Sequence, residues 1–261
     1  MKTAVVTLCI GKDFEGIAKF THPTIKQYAN RIGADFIVIN SIKIGTERPH
    51  FEKFQLYSLL DKYNRIFYVD TDVIISPNCP NVFEIVPESM FGAFIESNFQ
   101  KRDNLIEFIQ KKLGRIHWKK TYFNSGVMVF SRKHKHIFNR YNGLNTAWGD
   151  TGEQTQLNYN LQKYQIPIFD IGIKFNNILN FNTEGRFKSY ILHYAGNNSY
   201  RKHRLEIIKR DACIMKLPAF LRMPANNLLS LILKYKKKIT RVCAYLRRAV
   251  CKNEPHNPTC I

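Results

Sequence analysis

Two aspartates separated by one residue stand at the end of a buried strand pattern. Asp70 and Asp72 follow the mainly apolar residues 66–69, so the chain carries both carboxylates from a buried strand into a turn. In an extended chain, residues i and i+2 point to the same side, and both carboxylates can therefore face one cation. Hard oxygen ligands suit Mg²⁺ or Mn²⁺, which often complete their shells with substrate phosphates and water. The alternative is a plain strand-end turn in which the aspartates accept backbone N–H bonds.

The segments around these aspartates alternate between strand-like and helix-like patterns. The β-branched runs Lys2–Ile10 and Asp35–Ile39 enclose a helical pattern at Thr24–Ile32, which begins after His22-Pro23. The alternation continues with a helical stripe at Phe51–Lys62, strands at Arg65–Val69, Phe91–Ile95 and Tyr122–Phe130, and a helix near Leu105–Leu113. This order predicts an α/β fold with a mostly parallel central sheet and helices on both faces. In open sheets of this type, ligands bind outside the carboxyl ends of the strands, which is where the two aspartates lie.

The size and composition of the chain favour one sizeable core. The 261 residues, with 44% hydrophobic and 23% charged side chains, suffice for one domain, or for a domain with an appendage, and exclude disorder throughout. The longest apolar runs fall far below the roughly 20 residues that span a bilayer. The N-terminal run has the pattern of a first strand and not of a signal peptide, so we expect the mature chain to begin at Met1. Six cysteines without a C-x-x-C pair indicate neither zinc nor disulfides and favour a reducing compartment.

Positive charge is concentrated towards the C-terminal end. The 40 basic and 20 acidic residues give a net charge of +20, which predicts attraction to nucleic acid, an anionic membrane or a phosphorylated substrate. No acidic residue lies between Asp211 and Glu254, while apolar residues recur at helical spacing from Leu228 onward. We therefore predict a domain at 1–210 and a basic amphipathic helical tail at 211–261 that lies on an anionic membrane surface. The alternative is a terminal helix that packs its apolar stripe on the domain.

Several segments follow one another in an order that is typical of one enzyme family. They are the first strand Thr3–Ile10, the helix Phe51–Lys62, the aspartate segment Arg65–Ile75, and the motifs Tyr122–Met128, Gly152–Asn158 and His193–Gly196. In this order they resemble the motifs of the GT-A glycosyltransferases, especially family 8, the glycogenin-like and bacterial lipopolysaccharide galactosyl- and glucosyltransferases. The resemblance covers residues 1 to about 205 and stops before the basic tail. It implies a GT-A fold, a nucleotide-diphosphate sugar as donor, usually UDP-linked, and Mn²⁺ or Mg²⁺.

The resemblance implies a metal site with ligands from two distant parts of the chain. Asp70 and Asp72 would be metal ligands, with Asp70 also near the ribose, and His193 would be the third ligand. His193 ends the apolar run Tyr190–Leu192, and neutral imidazole suits manganese beside harder oxygen ligands. A histidine that stood there alone would instead be interpreted as a hydrogen-bonded residue near a sheet edge.

The resemblance also implies a diphosphate site after the histidine. Gly196 would let the backbone approach the diphosphate, because glycine has no side chain to obstruct close contact. Family members usually follow this glycine with Lys-Pro-Trp, whereas this chain has Asn-Asn-Ser-Tyr-Arg-Lys at 197–202. The role of the diphosphate-binding lysine is therefore assigned to Lys202 or Arg201.

Further residues match positions that bind the donor in the family. Thr7 and Leu8, at the end of the first strand, would line the nucleotide base pocket, or would be plain sheet core. Lys53 matches a basic residue on the donor sugar and phosphate, although an isolated helical lysine is ordinarily exposed. Asn124 and Ser125 interrupt an apolar strand and would contact donor sugar hydroxyls, whereas a bulge with local backbone pairing is the alternative.

Two residues match family positions close to the reacting carbon of the donor sugar. Gln154 stands where family 8 has the glutamine of Asp-Gln-Asp, next to the anomeric carbon, and Glu153 takes the place of the first aspartate. The second aspartate is replaced by Thr155, a departure that concerns the sugar identity more than the fold. Glu153 and Gln154 would otherwise be first-turn residues of the helix Gln154–Lys163.

Together these roles predict a metal-dependent hexosyltransferase with a glycan, glycolipid or protein as acceptor. Asp72, Glu153 and Gln154 are the predicted catalytic residues, and the cation would stabilise the charge of the departing diphosphate. As in family 8, we expect retention of configuration. An inverting enzyme would need Asp150 or Glu153 as its base. With the basic tail, these features predict a cytoplasmic protein that is peripheral at the cytoplasmic face of a membrane.

A basic protein that binds nucleic acid without catalysis is the alternative from another class. It would explain the net charge and the 13% of aromatic residues through phosphate contacts and base stacking. The aromatic residues, however, follow hydrophobic strand and helix patterns, and the sequence has no RNP, zinc-finger or KH signature. A nucleotidyltransferase would need a glycine-rich phosphate loop after the first strand, where Gly11 and Gly16 stand alone. We therefore expect no nucleic-acid partner.

Overall fold

The computed structural model describes residues 1–45, 48–119, 121–141, 152–181, 185–196 and 203–232. The chain divides into two units, Met1–Lys216 and Leu217–Ile261. The first unit ends just beyond the helix Arg204–Met215. The domain boundary predicted from the sequence lies a few residues earlier, between residues 210 and 211.

Within the described residues, six strands form the main sheet of the first unit. In spatial order they are β2 (Asp35–Ile39), β1 (Thr3–Leu8), β3 (Arg65–Asp70), β6 (Phe123–Ser131), β5 (Phe91–Ile95) and β7 (Ile168–Asp170). Neighbouring strands run parallel, except that β6 is antiparallel to both β3 and β5. The predicted mostly parallel α/β sheet is therefore confirmed, and the strand predicted at Tyr122–Phe130 is the one that runs in the opposite direction.

The main sheet is buried on both faces because its side chains alternate between two apolar clusters. In β3, for example, Ile66 belongs to one cluster and Phe67 to the other. The first cluster includes residues of helix α5 (Gly152–Lys163), and the second includes residues of helix α1 (Lys12–Arg31). The predicted helices on both faces of the sheet are thus confirmed.

The remaining helices of the first unit are short. Those described are α2 (Leu56–Leu59), α3 (Val82–Ile85), α4 (Asp103–Leu113) and α6 (Arg204–Met215), with 3-10 helices at Pro49–Gln55, Glu96–Asn98, Arg132–Phe138, Ile173–Phe175 and Arg186–Lys188. Several of the 3-10 helices follow the end of a strand, and two of them carry charged residues into the candidate site described below.

A second, smaller sheet continues from the main one at the two aspartates. Its strand order is β4 (Val73–Ile75), β9 (Ile191–His193) and β8 (Asn177–Ile178). β4 starts directly after the turn that follows β3, and it pairs with β9 in an antiparallel register that sets Val73 opposite His193. Backbone pairing therefore brings the histidine to the turn that carries the aspartates.

Two helices differ from their predicted form. The helix predicted to begin at His22-Pro23 starts eleven residues earlier than Pro23, at Lys12, and Pro23 lies inside it. Buried side chains on both sides of the proline, such as Ile17 and Ile25, hold α1 on the sheet and offset the missing backbone hydrogen bond. The single helix predicted at Phe51–Lys62 is instead a 3-10 helix followed by the short α2.

The second unit is described only in part. Residues 219–232 form a helix, and its side chains Phe220, Leu228 and Leu231 are 77%, 59% and 51% exposed. The rest of the predicted amphipathic tail, residues 233–261, lies outside the described part of the chain. No helix among the described residues combines the length and the apolar character needed to cross a membrane.

Gly92 in β5 offers a test of how tightly the sheet is packed. A Cβ atom at this position would lie 2.8 Å and 2.9 Å from the two γ-methyl groups of Val86 and 3.3 Å from Cβ of Val129. We expect Gly92→Ala to lower the free energy of unfolding by about 1–3 kcal/mol, as overpacking does in other cores. Urea denaturation measures this change. Gly16→Ala in α1, where a Cβ meets nothing within 4 Å, is the control and should leave stability unchanged or raise it. Equal midpoints for Gly92→Ala and the wild type would contradict the packing argument.

Candidate active site

Three potential metal ligands come together where the two sheets meet. One ligand atom from each of Asp70, Asp72 and His193 lies within 4.8 Å of the others. His193 Nε2 is 3.7 Å from Asp70 Oδ2 and 3.5 Å from Asp72 Oδ1. These distances leave room for an ion between the groups, and Asp72 and His193 are almost completely buried. The arrangement can hold one divalent cation by two carboxylates and one imidazole.

A buried nitrogen atom without a hydrogen-bond partner supports the fit of a cation to this cluster. His193 Nε2 has no hydrogen-bond partner among the described residues, although it is shielded from solvent. Buried polar atoms in proteins are nearly always paired, so an unpaired nitrogen that faces two carboxylates indicates a site for a positive ion.

Gly126 leaves room for the cluster because it has no side chain. It was not among the predicted site residues. A Cβ atom on Gly126 would overlap His193 Cε1 and would lie 2.8 Å from both Asp70 Oδ2 and His193 Nε2. Gly126 follows Asn124 and Ser125 in β6, whose antiparallel direction places the start of this strand beside the end of β3. The glycine after two polar residues in an apolar strand was the available sequence signal.

Arg204, at the start of α6, binds the other side of Asp72. Its guanidinium lies 2.5 Å from Asp72 Oδ2, while Asp72 Oδ1 faces His193. Burial by itself raises the pKa of the Asp72 carboxyl, but Arg204 and His193 more than offset this effect and hold the pKa well below its ordinary value. Asp72 is therefore ionised at neutral pH. No motif in the sequence pointed to Arg204, because it lies beyond the motif that ends at Gly196.

Lys53 is buried in an ion pair and is not a solvent-exposed helical lysine. Its Nζ lies 2.8 Å from Glu153 Oε1, 3.1 Å from Asp70 Oδ1 and 3.2 Å from Ser125 Oγ. Burial by itself lowers the pKa of the Lys53 amine, but the charges of Asp70 and Glu153 raise it above its ordinary value. For Glu153 the two effects have the opposite signs. Burial raises the pKa of its carboxyl, but the charges of Lys53 and His50 lower it, and the net result is a pKa below the ordinary value. Both groups are therefore charged, and the lysine links Asp70 to α5.

A layer of amides lies next to this ion pair. Gln154 Oε1 accepts the backbone N–H of Ser125 at 3.0 Å, and Gln154 Nε2 donates to Glu96 Oε2 at 3.2 Å. Asn124 Nδ2 donates to the same Glu96 oxygen at 3.0 Å. Glu96 is ion-paired with Arg102 through its other oxygen. Glu96 was not among the predicted site residues, although an acid directly after the apolar strand β5 repeats the pattern of Asp70 at the end of β3.

Helix α5 is positioned by side chains that bond to β6. Asn158 exchanges two hydrogen bonds with the backbone of Phe123, at 2.8 Å and 2.9 Å, and so holds the middle of α5 against the start of the strand. Thr155, which replaces the family's second aspartate, is buried and pairs with the hydroxyl of Tyr122 at 2.7 Å. Glu153 and Gln154 thus face the site, whereas Thr155 faces the interior.

Most of the predicted site residues line one cavity of about 560 Å³. Those that line it are Leu8, Lys53, Asp70, Asp72, Asn124, Ser125, Glu153, Gln154, His193 and Gly196. Gly196 has a φ of 106°, a backbone conformation that glycine adopts without strain. Phe14, Arg102 and Arg204 line the cavity as well.

Thr7 and Lys202 do not fall among these lining residues. Thr7 is fully buried, with its hydroxyl 3.5 Å from that of Thr71, because neighbouring residues of β1 face opposite sides of the sheet and Leu8 takes the cavity side. Lys202, Arg201 and Asp150 lie outside the described residues.

The comparison with protein families identifies the chain as an enzyme. The family model for glycosyl transferase family 8 matches residues 39–215. The chain belongs to this family. The match includes both aspartates, the amide layer, α5 and His193, and it selects a glycosyltransferase over the nucleic-acid-binding alternative. No curated protein matches the sequence.

Solved glycosyltransferases share the GT-A fold of this family 8 member at low sequence identity. A glycosyltransferase involved in glycosylation of the major capsid of PBCV-1 is 14% identical, with 80% of this chain and 99% of that chain covered and a TM-score of 0.57. GlyE of Streptococcus pneumoniae TIGR4 is 16% identical, with 88% and 64% covered and a TM-score of 0.53. The galactosyltransferase LgtC, in complex with donor and acceptor sugar analogues, is 13% identical, with 84% and 99% covered and a TM-score of 0.50.

The predicted metal-ligand role of His193 in this glycosyltransferase can be tested directly. We expect His193→Ala to weaken Mn²⁺ binding at least about tenfold, because one of three protein ligands is removed. Electron paramagnetic resonance of free Mn²⁺ during a titration measures the affinity. His136→Ala, which changes an exposed histidine outside the cavity, is the control and should bind like the wild type. Identical titrations for His193→Ala and the wild type would show that the histidine is no ligand.

Proposed function

We propose that the protein transfers a hexose from a nucleotide-diphosphate sugar, UDP-linked, to a glycan, glycolipid or protein acceptor, with retention of configuration. The observation that carries this proposal is the buried cluster of Asp70, Asp72 and His193 at one wall of a cavity whose other wall is a layer of amides and carboxylates. The wall formed by the aspartates and the histidine suits a diphosphate with its cation, and the wall formed by the amides and carboxylates suits sugar hydroxyls. The LgtC structure, which is in complex with donor and acceptor sugar analogues in the same fold, supports a sugar donor and an acceptor for this chain.

The cation end of the cavity would hold the diphosphate. Asp70, Asp72 and His193 are the proposed ligands of Mn²⁺ or Mg²⁺, and a bound dication stabilises the negative charge of a departing diphosphate. Gly196 lies at the same end and lets the backbone come close to a phosphate. Arg204 brings a guanidinium there through its contact with Asp72 and would share the anionic charge with the proposed Lys202.

The amide end of the cavity would orient the donor sugar. Asn124, Ser125 and Gln154 have their polar atoms held by hydrogen bonds, so they are preorganised to receive hydroxyls without reorienting. Gln154 would lie next to the anomeric carbon and steady its developing positive charge. Leu8 also lines the cavity and lies on β1, which is separated from β6 by β3, and we place the nucleotide base there. Thr7 would support this pocket from behind the strand.

The state of Glu153 supports retention over inversion. An inverting reaction needs a free carboxylate that accepts the proton of the acceptor, and Glu153 is instead buried against Lys53 and Ser125. Its lowered pKa makes it a weak base. In the proposed reaction the acceptor oxygen forms a bond to the anomeric carbon as the bond from that carbon to the diphosphate breaks. The proton of the acceptor then passes to a diphosphate oxygen, and no protein base is required.

Loss of one carboxylate tests the proposed chemistry. We expect Asp72→Asn to reduce metal-dependent hydrolysis of UDP-sugars, and transfer from them, by at least about a hundredfold, because the cation that stabilises the leaving group is lost. A panel of radiolabelled nucleotide sugars with Mn²⁺ provides the measurement. Asp61→Asn is the control, since Asp61 is exposed and forms only a surface ion pair. Unchanged turnover in Asp72→Asn would refute the proposed role.

We further propose that the tail binds the anionic cytoplasmic face of a membrane. The described helix at 219–232 exposes apolar side chains, and the sequence that follows contains many lysines and arginines but no acid before Glu254. An apolar face beside a cationic one is typical of helices that lie among lipid headgroups. A tail that packs on the domain is the competing hypothesis.

Three consecutive lysines in the tail allow this proposal to be tested in the full-length chain. We expect the combined change of Lys236, Lys237 and Lys238 to glutamine to weaken partitioning onto phosphatidylserine vesicles on the order of 100-fold, at about 1 kcal/mol per charge. The control variant changes the exposed Lys12, Lys111 and Lys119 in the same way and should partition like the wild type. Partitioning that is equal for the tail variant and the wild type would favour a tail that does not bind lipid.

A further inference from the structure

We propose that Asn176 is a positioning residue that holds His193 in the tautomer whose Nε2 carries a lone pair towards the cation site. Asn176 is fully buried at the end of the 3-10 helix Ile173–Phe175, and its Oδ1 lies 2.8 Å from His193 Nδ1. This inference rests on the proposed metal site. It adds a residue that hydrogen-bonds to the ring nitrogen of His193 that does not face the aspartates.

The direction of each hydrogen bond follows from two groups whose roles are unambiguous. The backbone N–H of Gly126 can only donate, and it lies 3.0 Å from one end of the Asn124 amide. The other end of that amide lies 3.0 Å from a carboxylate oxygen of Glu96, which is ion-paired with Arg102 and accepts. The end of Asn124 that faces Gly126 is therefore oxygen, and the end that faces Glu96 is nitrogen.

The orientation of Asn124 then determines that of Asn176. The oxygen of Asn124 lies 3.0 Å from the Asn176 amide, so Asn176 presents its NH₂ group there. Its oxygen is left to face His193 Nδ1. Since that oxygen can only accept, Nδ1 must carry the hydrogen. In a neutral imidazole the other nitrogen, Nε2, is then unprotonated and able to bind a metal ion.

We call the hydrogen bonds from Gly126 through Asn124 and Asn176 to His193 the relay. The relay favours the opposite tautomer from the one that the two carboxylates would favour on their own. Asp70 and Asp72 lie near Nε2 and, without a cation, would favour a hydrogen on that nitrogen. That tautomer would set the lone pair of Nδ1 against the oxygen of Asn176 inside the protein, where no water can relieve the repulsion. The relay thus keeps Nε2 of His193 unprotonated in the metal-free protein, so that this nitrogen is ready to bind a cation.

The next residue along the chain supplies a matched control. Asn177 is also buried, but its side chain points elsewhere and donates to Ser189 Oγ at 2.8 Å. The two neighbouring asparagines have the same side chain and similar burial. The side chain of Asn176 hydrogen-bonds to His193 and that of Asn177 to Ser189, so a difference between their leucine variants reports on the hydrogen bond to His193 and not on buried asparagine in general.

The experiment reads the tautomer in the metal-free, full-length protein. Long-range ¹H–¹⁵N correlation spectra at about pH 8.5, well above the usual imidazole pKa, distinguish the two tautomers, and His193→Ala assigns the signal. We expect hydrogen on Nδ1 in the wild type and in Asn177→Leu, and loss of this preference in Asn176→Leu. We also expect Mn²⁺ affinity to fall about 10–100-fold in Asn176→Leu and to stay within about twofold in Asn177→Leu.

Each contrary outcome is informative. A wild-type His193 with its hydrogen on Nε2 would overturn the relay, and this result does not depend on whether any variant folds. Equal Mn²⁺ affinity in folded Asn176→Leu and the wild type would overturn the positioning role while leaving the metal site intact. Absence of Mn²⁺ binding by the wild type, together with a tautomer on Nδ1, would instead overturn the proposed metal site.

Discussion

The burial of several carboxylates in one cavity is the constraint on which the rest of the site depends. A buried charge is costly unless it is paired, and here each carboxylate has a cationic neighbour. Lys53 lies between Asp70 and Glu153, and Arg204 lies on the outer side of Asp72. The remaining gap, between the two aspartates and His193, is the one that these protein cations do not fill. Its chemistry and its shape suit a dication.

The strand topology explains how residues far apart along the chain reach that gap. Asp70 ends β3, and the turn after it leads into β4, so one chain segment supplies both carboxylates to the junction of the two sheets. β4 pairs with β9, which delivers His193. β6 runs antiparallel to β3, and this reversal brings Gly126 to the same place with no side chain in the way. An all-parallel sheet would have put the start of that strand at the opposite edge.

Hydrogen bonds restrict the site in addition to the ion pairs. Asn124 connects Gly126, Glu96 and Asn176, so the amide layer and His193 share one network of hydrogen bonds. A network in which every member is paired is rigid, because any reorientation leaves a buried polar atom without a partner. The amide layer and His193 are thereby held at a set spacing, as the proposed transfer of a sugar from a diphosphate to an acceptor would require.

The sequence alone determined the α/β class, through its alternating periodicities, and the position of the aspartate pair at a strand end. The resemblance to family 8 added His193 and α5, because motifs in a set order survive where overall identity does not. The proline signal was misleading at Pro23, since packing on the sheet can carry a helix through a proline. Only the tertiary structure decided the burial of Lys53 and the contacts of Arg204 and Asn176. Such contacts depend on strand order and register, which bring together residues whose separation in the sequence says nothing of their distance in space.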